Sequence, residues 1–130
     1  MNNLEETLID SFVNLKGLLS QKVEHQSNEN FLTFVKRIAP SIVSDFKMGN
    51  HIKVISNKLQ DLEEGRIKRL MVFLPPRSSK SVICSKLFPA WYIGRHPEHE
   101  ILTVSHSDQL SSDFGRSVRD VVNTEEFQKI

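Results

Sequence analysis

A single cysteine, Cys84, stands in the 130-residue chain, which excludes an internal disulfide framework and suits a reducing cytoplasm. Long apolar runs are also missing: none approaches the roughly 20 residues needed to span a bilayer, so no membrane segment is expected. The amino terminus carries Glu5 and Glu6 and no basic region, which argues against a secretory signal. Acidic residues are absent from one whole block, residues 66–97. That block holds 7 basic side chains (Arg66, Lys68, Arg69, Arg77, Lys80, Lys86 and Arg95). Residues 1–65 hold 7 basic and 9 acidic side chains and residues 98–130 hold 3 and 7, so the net charge of +1 conceals segments of −2, +7 and −4. A local positive block points to an anionic ligand there, whereas Arg66, Lys68 and Arg69 are explained as solubilising a strand end. No basic face is evident elsewhere, so the chain by itself does not read as a strong DNA binder.

Three amphipathic helices are predicted ahead of that block. Leu4, Leu8, Phe12, Leu15, Leu19 and Val23 recur at helical spacing, as do Phe31, Phe34, Val35 and Ile38, with Pro40 as the limit of the second helix. Gly49-Asn50 supplies a break and an N-cap for a third, with Ile52, Ile55, Leu59 and Leu62 on one face and Gly65 as its C-cap. These helices predict a helical lead-in over residues 1–48, followed by a second unit over 49–130.

The second unit is organised around residues 66–81. Leu70 to Leu74 are five consecutive apolar residues bounded by basic residues before and Pro75-Pro76 after, which reads as a strand buried on both faces of a parallel sheet. A short loop then ends in Lys80-Ser81, and helical spacing resumes with Val82, Ile83, Lys86 and Leu87. Strand, loop, Lys-Ser and helix are the layout of a phosphate-binding loop. The strict pattern would place glycine at 74 and 79, where this chain has Leu74 and Ser79. Pro75 and Pro76 stiffen the front of the loop and donate nothing. The amides of Arg77, Ser78, Ser79, Lys80 and Ser81 are left to cradle an anion, with the Ser79 Cβ where glycine normally permits unusual φ. A lysine in the first turn of a helix opposes the macrodipole and costs roughly 0.3–1 kcal/mol, which a bound triphosphate would explain. The local pattern alone leaves both a phosphate site and an ordinary strand–turn–helix open.

Further on, a helix from Ser81 reaches Phe88, with Pro89 as a kink or restart, core aromatics Trp91 and Tyr92, and Gly94 as its end. Residues 100–105 read as a second strand, and a helix from about Asp108 to Val122 presents Leu110, Phe114, Val118 and Val121. The order β-α-β-α predicts an open α/β fold with parallel strands and a ligand at the carboxyl end of the first strand. His96, His99, His106 and Cys84 fit no standard zinc spacing, and loop histidines beside a turn proline account for them.

Four motifs in order carry a family resemblance. They are Arg66-Ile-Lys-Arg-Leu-Met-Val-Phe-Leu-Pro-Pro-Arg-x-x-Lys80-Ser81, Leu87-Phe-Pro-Ala-Trp-Tyr-Ile-Gly-Arg-His-Pro97, Ile101-Leu-Thr-Val-Ser-His-Ser107 and Asp113-Phe-Gly-Arg-x-Val-Arg119. The series, spanning residues 31–130, closely resembles the large subunit of tailed-phage DNA-packaging terminases, which carry a deviant Walker A of the type Pro-Pro-Arg-x-x-Lys-Ser. The resemblance implies a P-loop NTPase of RecA-like parallel-sheet type, here the first part of the ATPase domain. It implies ATP and Mg²⁺ as cofactors. Lys80 would pair with the β- and γ-phosphates, Ser81 would ligate Mg²⁺, and the amides of Ser78 and Ser79 would hold phosphate oxygens. Arg77 would sense or stabilise the γ-phosphate, which makes Arg77 and Lys80 the catalytic contributors. The segment before the loop would help form the adenine side of the pocket. His51 lies in the matching Gly-x-His stretch, although local capping or packing is its simpler role. In the intact family member the partners implied are double-stranded DNA, the portal protein and the small terminase subunit, with homo-oligomerisation on the portal in the bacterial cytoplasm.

An ATPase also needs a carboxylate for Mg²⁺ on another strand and a residue that positions water. Neither the acidic strand end nor the family's nuclease site occurs in these 130 residues, so the chain alone is not expected to be a competent motor. Two alternatives stay open: an inactive prophage remnant, and a P-loop ATPase of other purpose, such as a helicase-like protein.

Overall fold

The computed structural model describes residues 9–11, 13–14 and 29–128, so the apolar stripe from Leu4 to Val23 lies outside the described residues. The elements are α1 (Phe31–Ile42), α2 (Asn50–Glu63), a π-helical segment (Val82–Leu87), α3 (Phe88–Arg95), α4 (Asp108–Val122) and α5 (Glu125–Gln128).

The α1 helix starts where Asn30 caps it, the side-chain oxygen accepting from the Thr33 amide at 2.8 Å. Phe31, Phe34, Val35, Ile38 and Ala39 form its buried stripe at three- and four-residue spacing. Pro40 does not end the helix, which continues to Ile42, and the Val43 amide closes it on the Ala39 carbonyl at 2.9 Å. In α2 the capping position is Gly49 rather than Asn50, and the buried face is Ile52, Ile55, Ser56 and Leu59. Gly65 follows with φ +76, the left-handed stop expected of it.

The aromatic residues knit these elements together. Phe31 lies 5.1 Å from Trp91 and 5.4 Å, edge-on, from Phe88, while Phe34 meets Phe127 of α5 edge-on at 5.9 Å. The Trp91 indole donates to the Glu29 carbonyl at 3.0 Å, and the Arg95 guanidinium lies over its ring. One buried cluster therefore draws on residues from Phe31 to Phe127, both before and after residue 48.

The expected α/β architecture is not what forms. Among the described residues the chain is helical, with no strand and no sheet. Residues 68–75 and 100–104 are non-helical, but no backbone hydrogen bond joins them among the described residues. A strand exists only through a ladder to a neighbour about 4.8 Å away, and neither segment has one. Burial shows the same thing. Leu70, Val72 and Leu74 pack against the core, whereas Met71 and Phe73 are 82% and 85% exposed. A parallel-sheet strand would be covered on both faces. In the second segment Leu102 and Val104 are 89% and 80% exposed.

One further boundary differs from expectation. The helical run from residue 80 to Arg95 passes through Gly94, while Pro89 falls in the first turn of α3, where the π-helical segment gives way to α-helix. Within it the Phe88 amide donates to the Ile83 carbonyl, five residues back, so the register has widened just before Pro89, whose missing N–H would interrupt an ordinary ladder. By contrast α4 begins and ends as expected, capped by Ser107, with Val121 buried and Val118 against the core.

Candidate functional site

The loop at residues 75–79 joins the extended apolar segment to the helical run. Arg77 and Ser79 both adopt left-handed backbone, φ 61° and 60°, on either side of Ser78. Such conformations are costly for residues with a Cβ and persist where surroundings enforce them. The Ser78 hydroxyl donates to the Pro75 carbonyl at 2.7 Å, closing the turn. Left-handed residues interleaved with ordinary ones curl successive amides toward one side, the arrangement that makes anion-binding concavities. The helical run then begins at Lys80, and the Ile83 amide donates to the Ser79 carbonyl at 3.0 Å. The first amides of a helix lack intrahelical partners and point at whatever lies before it.

The resulting concavity, about 390 Å³, is lined by residues 74–82, which include all five expected site residues: Arg77, Ser78, Ser79, Lys80 and Ser81. None of the lining residues is acidic. Among the described residues neither Arg77 nor Lys80 forms an ion pair. The site thus presents two uncommitted cations and a curled backbone.

Two adjoining hollows extend it. One, about 310 Å³, lies between Lys80, Ser81, Cys84 and Phe88 on one side and Leu59, Leu62, Leu70 and Val72 on the other. Another, about 330 Å³, is lined by His51, Val54, Ile55 and Lys58 of α2 against residues 70–74. His51 does not cap its own helix. Its Nε2 lies 3.2 Å from the Ser78 carbonyl, so the start of α2 is tied to the phosphate-type loop. Gly49 makes room for this pose, because a Cβ there would come 2.6 Å from the imidazole.

Cys84 is half-buried one helical turn after Lys80. Burial pushes its thiol pKa up, opposed in part by the positive charge of Lys80.

A second polar cluster lies at the far end of the helical run, and one of its members was not singled out in the sequence. The Glu63 side chain is only 4% exposed, and its Oε1 accepts from Arg95 Nε at 3.0 Å and from His96 Nε2 at 2.7 Å. Its position four residues after Leu59, within the buried stripe of α2, is the signal that marks it. His106 and Cys84 do not join His96 and His99, but Glu98 does.

No helix among the described residues is long and apolar enough to cross a membrane. Searches against protein-family models, curated proteins and solved structures found no match to this chain.

Proposed function

We propose that the loop at residues 75–81 binds the phosphates of ATP with Mg²⁺, and that the chain is the nucleotide-binding part of a DNA-packaging terminase large subunit. The observation that carries the reading is the pair of left-handed residues, Arg77 and Ser79, placed directly before a helix start at Lys80. The four motifs in order support the terminase assignment.

In this role the amides around Ser78 and Ser79 hold phosphate oxygens, and Lys80 neutralises charge on the β- and γ-phosphates. Arg77, on the exposed lip of the loop, approaches the γ-phosphate. The Ser81 hydroxyl, exposed at the first helical turn, supplies an oxygen for Mg²⁺. The apolar hollow beside Lys80, or the one under His51, accommodates the base. With no acid lining the concavity, these residues bind and orient the nucleotide. Hydrolysis, DNA translocation and cleavage belong to the intact family member, working with double-stranded DNA, the portal protein and the small subunit in the bacterial cytoplasm.

The test is thermal unfolding and calorimetry with Mg-ATP. Binding should raise the melting temperature of the wild type, by mass action. Lys80→Ala should lose that rise while keeping its helical circular dichroism. An unchanged response to ATP in Lys80→Ala would overturn the assignment.

A further inference from the structure

We propose that the turn following α3 is a zinc site, with His96, Glu98 and His99 as its three protein ligands. Among the described residues this is the one cluster whose donor atoms converge, all lying within 4.8 Å of one another. His96 Nδ1 lies 3.8 Å and His99 Nε2 3.7 Å from the same oxygen, Glu98 Oε1. Zinc–ligand bonds of about 2.1 Å set neighbouring tetrahedral donors about 3.4 Å apart, so each imidazole needs to approach Glu98 Oε1 by only a few tenths of an ångström, and the widest donor pair, up to 4.8 Å apart, by up to about 1.4 Å. The Glu98 carboxylate is exposed and makes no other ion pair among the described residues. Two imidazoles and a carboxylate leave a fourth position for water, a donor set that zinc accepts readily.

The supporting contacts are independent of this convergence. A metal-bound histidine typically gives its other ring nitrogen to a carboxylate or similar acceptor, which fixes the tautomer. Here the His96 Nε2–H donates to buried Glu63 Oε1 at 2.7 Å, leaving Nδ1 as the lone-pair nitrogen that faces Glu98. His99 Nδ1 lies 3.0 Å from the Tyr92 hydroxyl, so its Nε2 is the nitrogen turned toward Glu98. The two rings are stacked at 4.9 Å and 9°, and the His99 amide donates to the His96 carbonyl at 3.0 Å, which holds the turn closed. Among the described residues Glu63 Oε2 is buried without a hydrogen-bond partner. Zinc would fasten the turn onto α2 through the Glu63–His96 contact. No standard zinc spacing reveals this site, since all three ligands fall within four residues and their support comes from α2 and α3.

The probes are ZnCl₂ by calorimetry and Co²⁺ by visible absorption, on the full chain without nucleotide. The expected result is one equivalent of Zn²⁺ bound, a tetrahedral Co²⁺ spectrum and a higher melting temperature. His99→Ala and Glu98→Gln, both at exposed positions, should each weaken binding by at least a hundredfold. Tyr92→Phe should weaken it by about 10–100-fold, as loss of an outer contact does. Absence of zinc binding in the wild type would overturn the proposal. So would equal affinity in both His99→Ala and Glu98→Gln, which would place the ion elsewhere.

Discussion

His51 Nε2 lies 3.2 Å from the carbonyl oxygen of Ser78, bridging the first turn of α2 to the middle of the loop at residues 75–79. A carbonyl can only accept, so the imidazole carries its proton on Nε2 in this contact. The bond spans 27 residues of sequence and fixes the carbonyl between the two left-handed residues. It is a positioning contact, acting on a bound phosphate only through the loop's shape.

The tie between Gly49, His51 and Ser78 makes a three-residue prediction. His51→Ala should cost about 0.5–1 kcal/mol of stability, as expected for one partly exposed hydrogen bond, and should weaken ATP binding. Gly49→Ala should do nearly the same, because its Cβ drives the imidazole out of place. The double variant should be no worse than either alone, since both remove one interaction. Urea titrations of the four proteins measure this, and full additivity would disprove the coupling.

The extended segment at 70–74 separates the observed packing from a two-sided strand. Phe73→Ser, at an exposed position, should change stability by less than about 0.5 kcal/mol. Val72→Ser, against the core, should cost about 1–2 kcal/mol. A strand covered on both faces would lose heavily at each position. Equal large losses in chemical denaturation would restore the sheet.

Cys84 reports on both pH and the loop. Burial holds its thiol pKa above that of the unfolded chain, so the native state keeps the proton more tightly. Between the two values the native state binds more protons, and stability therefore falls as pH rises through that alkaline window while remaining whole below it. Alkylation by iodoacetamide should lag behind that of the unfolded chain throughout this range. Because Lys80 opposes the shift, Lys80→Ala should slow alkylation further, and Mg-ATP should do so in the wild type. Reaction as fast as in the unfolded chain would contradict the burial.

What the sequence reveals follows from how local each cause is. The faces of α1 and α2, the left-handed Gly65 and the extent of α4 all depend on residues within a turn or two of each other. So does the loop, where proline stiffness, uncommitted cations and a Ser79 in glycine's conformation are written at adjacent positions. The strands failed for the opposite reason. An apolar run such as Leu70–Leu74 looks alike whether or not another segment lies alongside, and the ladder that makes it a strand is non-local. Glu63 went unnoticed because its partners Arg95 and His96 lie 32 and 33 residues away. Pro40 and Gly94 were read as stops, yet the helices run through both.

The widened register at Val82–Leu87 has a consequence for the chain's tolerance of length changes. Each residue of an α-helix advances the side-chain direction by about 100°, and a π turn absorbs one surplus residue without breaking the rod. Removing a single residue there, such as half-buried Ser85, would let the segment relax into uniform α-helix while the run beyond it keeps its phase relative to Lys80 and Ser81. Trp91 would stay opposite Phe31 and the Glu29 carbonyl, and the histidine turn would stay on Glu63. A one-residue deletion is thus expected to be tolerated in this segment, whereas in uniform α-helix it would rotate all that follows by about 100°.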